Sequence, residues 1–243
     1  MHADRMGMLV WQDFVNGGGR YNRAVVQGPV KLTFHIPDHR YGLFGRRSLA
    51  GRMDYWREAV ETVALLRNSP SIVCWVPFNE GWGQFDAAEV TAAVRRWEGS
   101  RLIDHASGWH DQGAGDVVSP HVYFRVVVPG ERWGEDGRAV VLSEYGGYSH
   151  TIPGHEFAAE EYGYVKFPGL PELTEAFAAL QRDQIIAAIE AGLAGFVYTQ
   201  VSDVEDETNG LVTADRSIIK VDAEVQRAVN AEVREAAERV WRG

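Results

Sequence analysis

The stretch SIVCWVPFNEGWGQ, residues 71–84, indicates the fold of this chain. Its first part, Ile72–Val76, is an apolar run rich in β-branched and aromatic side chains and closed by a proline on each side. This pattern is typical of a buried strand. Asn79 and Glu80 follow where the strand gives way to a loop. Because parallel α/β folds carry catalytic groups at the carboxyl ends of their strands, Glu80 is a candidate catalytic residue. The alternative is a solvated loop glutamate.

A second stretch, AVVLSEYGGY at residues 139–148, repeats this arrangement. The apolar run Ala139–Leu142 predicts a strand, and Glu144 follows it. If the two strands are parallel members of one barrel, the carboxylates of Glu80 and Glu144 project at the same face. Paired carboxylates across a cleft are the groups that glycoside hydrolysis requires.

Five segments in this order resemble the catalytic barrel of glycoside hydrolase family 2, which contains β-galactosidases, β-glucuronidases and β-mannosidases. They are HADRMGMLVWQDF (2–14), WVPFNEGWGQ (75–84), SPHVY (119–123), VLSEYGG (141–147) and YTQVSDVEDETNGL (198–211). The resemblance implies an α/β fold, a (β/α)8 TIM barrel that is incomplete, with strands 3 to 8 present and the first two strand–helix units missing. It predicts a single, partial catalytic barrel domain over residues 1–243, which is a fragment or begins at an internal Met.

The resemblance also implies a function. We expect a retaining, exo-acting glycoside hydrolase that cleaves β-galactoside-like or β-glucuronide-like substrates by double displacement. Glu144 is the expected nucleophile, Glu80 the expected acid/base, and Asn79 is suited to bind the sugar 2-hydroxyl. No organic cofactor is implied.

Further substrate-binding candidates are polar or aromatic residues near the predicted strand ends. They are Asp13, Trp82, Trp109, His121, Tyr123 and Tyr145, with Trp133 as a further stacking candidate. Each has a structural alternative: Asp13 as a cap of its loop, His121 as a buried structural histidine, the tryptophans as packing groups. Tyr145 or another tyrosine is expected to donate to Glu144 and keep it ionised. The aromatics Phe157, Tyr162, Tyr164 and Phe167 are expected either to line a sugar pocket or to pack their loop.

Composition excludes several classes of partner. The 243 residues carry a net charge of −10, which argues against nucleic-acid or anionic-membrane binding. Cys74 is the one cysteine, so no intramolecular disulfide forms, and its place in a strand predicts a small buried hydrophobe. No apolar run approaches a membrane span, and no signal peptide is visible, which favours the cytoplasm slightly.

No metal site is predicted. His35 and His39 stand four residues apart, but Pro37 between them argues against a helical pair. The loop 203–210 resembles a calcium loop, yet Thr208 stands where glycine is needed and Ala214 where glutamate is needed. This loop is therefore expected to be acidic and solvated, near the mouth of the site.

Two other functions stay open. One is a catalytically inactive fragment that serves as a carbohydrate-binding or structural module, and the other is an inverting barrel hydrolase. The separation of the two carboxyl groups distinguishes a retaining enzyme, at about 5–5.5 Å, from an inverting enzyme, at about 6.5–9.5 Å. If two strands are missing, the edges at residues 8–12 and 196–200 are unpaired and invite a homodimer.

Helices are predicted where apolar residues recur at helical spacing between stop signals. The predicted ranges are 51–68, 86–97 with Asp86 as its N-cap, 173–192 and 222–241.

Overall fold

The computed structural model describes residues 2–32, 34–127, 135–158 and 162–242. The chain divides into two compact units. The first comprises Met1–His121 and Asp136–Ala139, and the second comprises Val122–Glu135 and Val140–Gly243. Trp133 lies outside the described residues, so the stacking role expected of it stays a prediction.

The first unit is built on parallel strands. Its helices and strands, in chain order, are α1 (His2–Met6), β1 (Val10–Asp13), α2 (Arg23–Val26), α3 (Leu49–Leu66), β2 (Ile72–Val76), α4 (Ala87–Trp97), β3 (Leu102–Ile103) and β4 (Val117–Val118). The short strand β5 (His121–Val122) begins at His121. β2 lies between β1 and β3 and pairs with both in parallel, so the predicted central strand is confirmed. The backbone continues this order, because Gly108 N–H donates to Ser119 O at 2.8 Å.

The core of this unit lies between β2 and the helices α3 and α4. Trp75 of β2 is fully buried, and Cys74 beside it is buried too, as predicted. α3 turns Tyr55, Ala59 and Val63 inward, at the spacing that predicted the helix. Burial of such side chains contributes about 1.5–3 kcal/mol each for the larger ones. This packing holds β2, and with it the turn that carries Glu80, against a rigid layer.

Asp86 does not cap α4 as predicted. It precedes the helix, but its backbone is left-handed (φ 42°) and its side chain makes no capping hydrogen bond. Its carboxylate instead accepts from the hydroxyl of Tyr41 at 2.8 Å. The N–H of Ala87 donates to Asp38 at 2.9 Å, so a carboxylate distant in sequence satisfies the helix start.

The second unit is likewise built on parallel strands. Its elements are β6 (Ala139–Gly146), β7 (Tyr148–Ser149), β8 (Val165–Lys166), α5 (Leu170–Ala179), a π-helical stretch (Leu180–Ile185), α6 (Ile186–Glu190), β9 (Leu193–Thr199) and α7 (Ala223–Trp241). β6 pairs in parallel with β9, and β7 with β8. Asp222 caps α7 through the N–H groups of Glu224 and Val225, close to the predicted helix start.

A closed barrel is not seen among residues that the structure describes. Their strands form small parallel sheets, so the parallel α/β pattern is confirmed while the incomplete (β/α)8 barrel is not and stays a prediction. Within the described ranges, no helix combines the length and the apolar character that crossing a bilayer demands.

The calcium-like loop of the second unit holds a lysine ammonium group instead of presenting a free acidic cluster. The Nζ atom of Lys220 donates to Asp203 Oδ1 at 2.7 Å and to the carbonyl oxygens of Thr208 and His150 at 2.8 and 3.0 Å. Asp203, Thr208 and Lys220 are buried, so the expectation of a solvated loop is wrong for these residues. The ammonium group therefore pairs with the buried Asp203 carboxylate and satisfies two carbonyl oxygens.

Candidate active site

Glu80 lies in the turn that follows β2, in the first unit. Its N–H donates to the carbonyl of Ser107 at 2.8 Å, which continues the parallel pairing through Asn79. Its own carbonyl accepts from the indole N–H of Trp109 at 2.8 Å. Glu80 adopts a left-handed backbone (φ 52°), an uncommon conformation for a residue with a side chain. Both backbone polar groups of Glu80 are therefore hydrogen-bonded, and the turn fixes the direction of the half-buried side chain.

His121 connects Glu80 to Ser107. Its Nδ1 atom lies 2.9 Å from Glu80 Oε1, and its Nε2 atom lies 2.9 Å from Ser107 Oγ. The ring is buried, and Trp109 packs edge-on against it at 5.4 Å. Gly108 has φ 91° and passes so close that an added Cβ would lie 3.0 Å from the ring. Both ring nitrogens are thus engaged, and the ring has little freedom to turn away from the carboxylate.

Two aspartates of the same unit have carboxyl groups with shifted acidity. Burial raises the pKa of Asp13, at the end of β1, to about 6, against the opposing effect of His121. The side chain of Asp13 still contacts solvent, and this contact reduces the rise in its pKa. Asp104 is fully buried, and burial raises its pKa to about 6 although Ser119 donates to its Oδ1 at 2.6 Å. Sequence reasoning did not single out Asp104.

The two described candidate tryptophans sit differently. Trp109 is buried between Glu80 and His121, so its ring serves packing and its N–H holds the Glu80 turn. Trp82 is half-buried and packs edge-on against Tyr21, with ring centroids 4.8 Å apart. Of these two described tryptophans, Trp82 is the one that retains ring surface that a ligand can reach.

Glu144 lies near the end of β6, in the second unit, and is half-buried. Its Oε2 accepts a hydrogen bond from the hydroxyl of Tyr123. The Tyr123 ring is stacked flat on Tyr164, with centroids 3.8 Å apart and an interplanar angle of 1°. Gly147 has φ 64°, and an added Cβ would lie 2.4 Å from the Tyr164 ring, so only glycine fits there. The donor to Glu144 is accordingly fixed in place from two sides.

Tyr145 points into the core of the second unit. It is almost fully buried, and its hydroxyl exchanges hydrogen bonds with the side-chain amide of Gln181 at 2.8 and 3.0 Å. Burial raises its pKa well above the usual tyrosine value. The pairing of β6 with β9 shifts register between Leu142 and Tyr145, so it is the hydrogen bonds to Gln181 that show where the Tyr145 hydroxyl lies. The tyrosine that donates to Glu144 is Tyr123, and we find no geometric support for Tyr145 as a substrate ligand.

Sequence reasoning missed some residues of these two arrangements. Ser107 carries no motif signal, since only the fold brings it to His121. Gln181 lies in a helix and reaches Tyr145 by tertiary packing. Tyr164 was a candidate for pocket lining or packing, and the structure shows it packing on Tyr123. Tyr162 in turn contacts Tyr164 edge-on at 5.4 Å.

The fold is similar to that of several solved structures. A β-glucuronidase from an uncultured Clostridium species aligns with TM-score 0.61 and 17% identity, over 96% of this chain and 41% of that one. A GH2 β-galacturonidase from Eisenbergiella tayi, bound to galacturonate, gives 0.60 and 17%, over 96% and 42%. A β-D-glucuronidase from Dictyoglomus thermophilum gives 0.54 and 15%, over 76% and 36%. No protein-family model and no curated protein matches the chain.

The chain spans less than half the length of these three enzymes, and at such identities the likeness concerns the fold. The family resemblance expected from the motifs is confirmed at that level. The chain therefore has a glycoside hydrolase family 2-like fold.

Proposed function

We propose that this chain carries the catalytic groups of a retaining, exo-acting glycoside hydrolase that cleaves β-glycosidic bonds. Glu144 is the nucleophile and Glu80 the acid/base in this proposal. The chain spans only 41% of the Clostridium β-glucuronidase. That this chain is active by itself therefore belongs to the proposal.

The hydrogen bond from Tyr123 to Glu144 carries the proposal. A carboxylate that attacks an anomeric carbon must be ionised, and a hydroxyl donor stabilises the ionised form. The stacked Tyr164 holds this donor in one orientation, so the hydroxyl does not have to be ordered during the reaction. A glutamate that merely ended a strand in solvent would not need such a partner.

The surroundings of Glu80 support the acid/base role. This residue has to exchange a proton twice, first with the leaving oxygen and then with water. The hydrogen bond between His121 Nδ1 and Glu80 Oε1 holds one carboxyl oxygen, which leaves the other for that proton. Asn79, one residue earlier at the same strand end, is half-buried and is proposed to bind the sugar 2-hydroxyl. Asp13 and Trp82 remain proposed sugar contacts.

The proposed reaction has two steps. Glu144 attacks the anomeric carbon and forms an ester bond while the bond to the leaving oxygen breaks, and Glu80 gives its proton to that oxygen. Water then attacks the anomeric carbon, Glu80 accepts a proton from it, and the ester bond to Glu144 breaks. The configuration is inverted twice, so the product keeps the β configuration.

The structural neighbours suggest which sugars to test first. Two are β-glucuronidases and one is a β-galacturonidase, so aryl β-glucuronides and β-galacturonides head the panel, with aryl β-galactosides next. We expect turnover of at least one aryl β-uronide or β-galactoside.

A nucleophile variant tests the proposal. Glu144→Ala should abolish turnover of the aryl glycoside, and sodium azide should restore part of it because the small anion replaces the missing carboxylate. Glu235→Ala, on the exposed face of α7, is the matched control and should behave as the parent does. Equal rates in Glu144→Ala and the parent would remove Glu144 from the nucleophile role.

The alternative is a chain that binds carbohydrate without turnover. It would leave all aryl glycosides uncleaved, while calorimetry would still detect sugar binding that Glu144→Ala does not abolish.

A further inference from the structure

An open groove of the first unit lies beside the turn that carries Glu80. It encloses about 820 Å³, within the size range of ligand sites. Its walls include Arg20, Tyr21, Arg23, Gln27, Gly42 and Trp82. We call it the Trp82 groove.

The Trp82 groove is positively charged in a chain whose net charge is −10. Within the described residues, the guanidinium groups of Arg20 and Arg23 have neither an ion pair nor a hydrogen bond, and no carboxylate lines the groove. A third guanidinium, that of Arg47, lies against Gly42, where an added Cβ would be 2.9 Å from its Nε. Unpaired arginines in the wall of a groove present planar donors suited to carboxylate or sulfate oxygens.

The aromatic part of the groove is held in place. Tyr21 packs against Gly45, where an added Cβ would lie 3.1 Å from the ring, and Trp82 meets Tyr21 edge-on. The buried guanidinium of Arg46 donates to the carbonyl of Gly83 at 2.7 Å, which fixes the turn of Trp82 from behind. A preformed aromatic surface binds the apolar face of a sugar ring with little loss of entropy.

We propose that the Trp82 groove binds an acidic sugar residue, whose ring lies on Trp82 and whose carboxylate or sulfate pairs with Arg20 and Arg23. Its place in the reaction rests on the proposed function. Trp82 follows Glu80 by two residues, and its backbone N–H donates to the carbonyl of Asn79 at 3.0 Å. An acid/base residue stands on the side of the leaving group, so the acidic residue is the one released, not the sugar attacked at its anomeric carbon.

Nuclear magnetic resonance of the ¹⁵N-labelled chain tests the groove without requiring turnover. The probes are sodium methyl β-D-glucuronide and methyl β-D-glucoside, which differ by a carboxylate in place of a hydroxymethyl group. The reporter is the indole N–H signal of Trp82, assigned by its absence in Trp82→Phe. We expect the glucuronide to shift this signal in a saturable manner, and the glucoside to shift it far less.

Removal of the arginines supplies the charge test. Arg20→Gln with Arg23→Gln should weaken glucuronide binding by about 2- to 30-fold, because each exposed ion pair contributes modestly. The matched control is Arg227→Gln with Arg234→Gln on exposed positions of α7, which removes the same charge and should keep the parent affinity.

Three results would overturn the groove proposal: equal shifts with both probes, no shift with either, or equal weakening in the two double variants. Turnover of aryl glycosides is measured separately, so an inactive chain that still binds the glucuronide at Trp82 would contradict the proposed function and not the groove.

Discussion

Tyr123→Phe removes one oxygen atom and leaves the rest of the nucleophile's surroundings in place. The ring should stay where it is, because it is stacked on Tyr164 at 3.8 Å and is 5% exposed. What is lost is the hydroxyl donor to Glu144. A hydrogen bond to a charged group contributes about 1.5–3 kcal/mol. If that stabilisation supports the attacking carboxylate, kcat/KM should fall by about 10- to 150-fold.

The assay is initial-rate hydrolysis of whichever aryl β-uronide or β-galactoside the parent cleaves best. Tyr145→Phe is the comparison, since it removes a hydroxyl from the residue next to Glu144 in β6, where the hydrogen-bond partner is Gln181. That variant should lose about 1 kcal/mol of unfolding free energy and keep its kcat/KM. The reasoning is refuted if Tyr123→Phe retains the parent's kcat/KM, or if Tyr145→Phe loses as much activity as Tyr123→Phe.

Three further predictions concern stability and proton positioning. Lys220→Met should destabilise the chain by about 3–5 kcal/mol in urea unfolding, because it leaves the buried Asp203 carboxylate without its cation; a loss below 1 kcal/mol would contradict this. Burial raises the pKa of Asp104 from 3.8 to about 6, so the folded chain binds this proton more tightly and stability falls as pH rises from about 4 to 6. Asp104→Asn should therefore gain up to about 3 kcal/mol relative to the parent at pH 7 and nothing at pH 4, and an equal effect at both pH values would count against it. Ser107→Ala should lower kcat/KM by about 2- to 12-fold by freeing the His121 ring, with Ser107→Thr restoring it; an unchanged rate would show that the ring needs no such partner.

Local pattern was sufficient for the elements that fill the core. The strand Ile72–Val76 and the helix Leu49–Leu66 follow from hydrophobic spacing and stop signals, because each buries a face that its own sequence defines. The position of Glu80 just after the end of β2 followed from the same reasoning.

Contacts between distant parts of the chain explain why the helix cap and the solvated loop were predicted wrongly and why Ser107 was missed. Asp86 has the sequence of a helix cap, yet its carboxylate bonds to Tyr41, 45 residues earlier, and no local pattern reveals that competition. The calcium-like loop gave no sign that Lys220 would occupy it. Ser107 lies beside His121 because Gly108, the residue after it, pairs in parallel with Pro120, the residue before His121.

The sequence left open whether Tyr145 or another tyrosine donates to Glu144, and the donor is Tyr123. Strand alternation does not decide this, because the pairing of β6 with β9 shifts register between Leu142 and Tyr145. The deciding contact is that of Tyr145 with Gln181, which no local pattern reveals. Predictions that no observation here tests, such as the homodimer through unpaired edges, stay predictions.

Trapping the covalent intermediate tests the central claim most directly. A 2-deoxy-2-fluoro β-glycosyl fluoride of the preferred sugar slows breakdown of the glycosyl-enzyme, so the label accumulates on the nucleophile. Peptide mapping by mass spectrometry after incubation should find the added sugar on Glu144 and on no other residue. A label on Glu80, or an unlabelled chain that still turns over the aryl glycoside, would contradict the account.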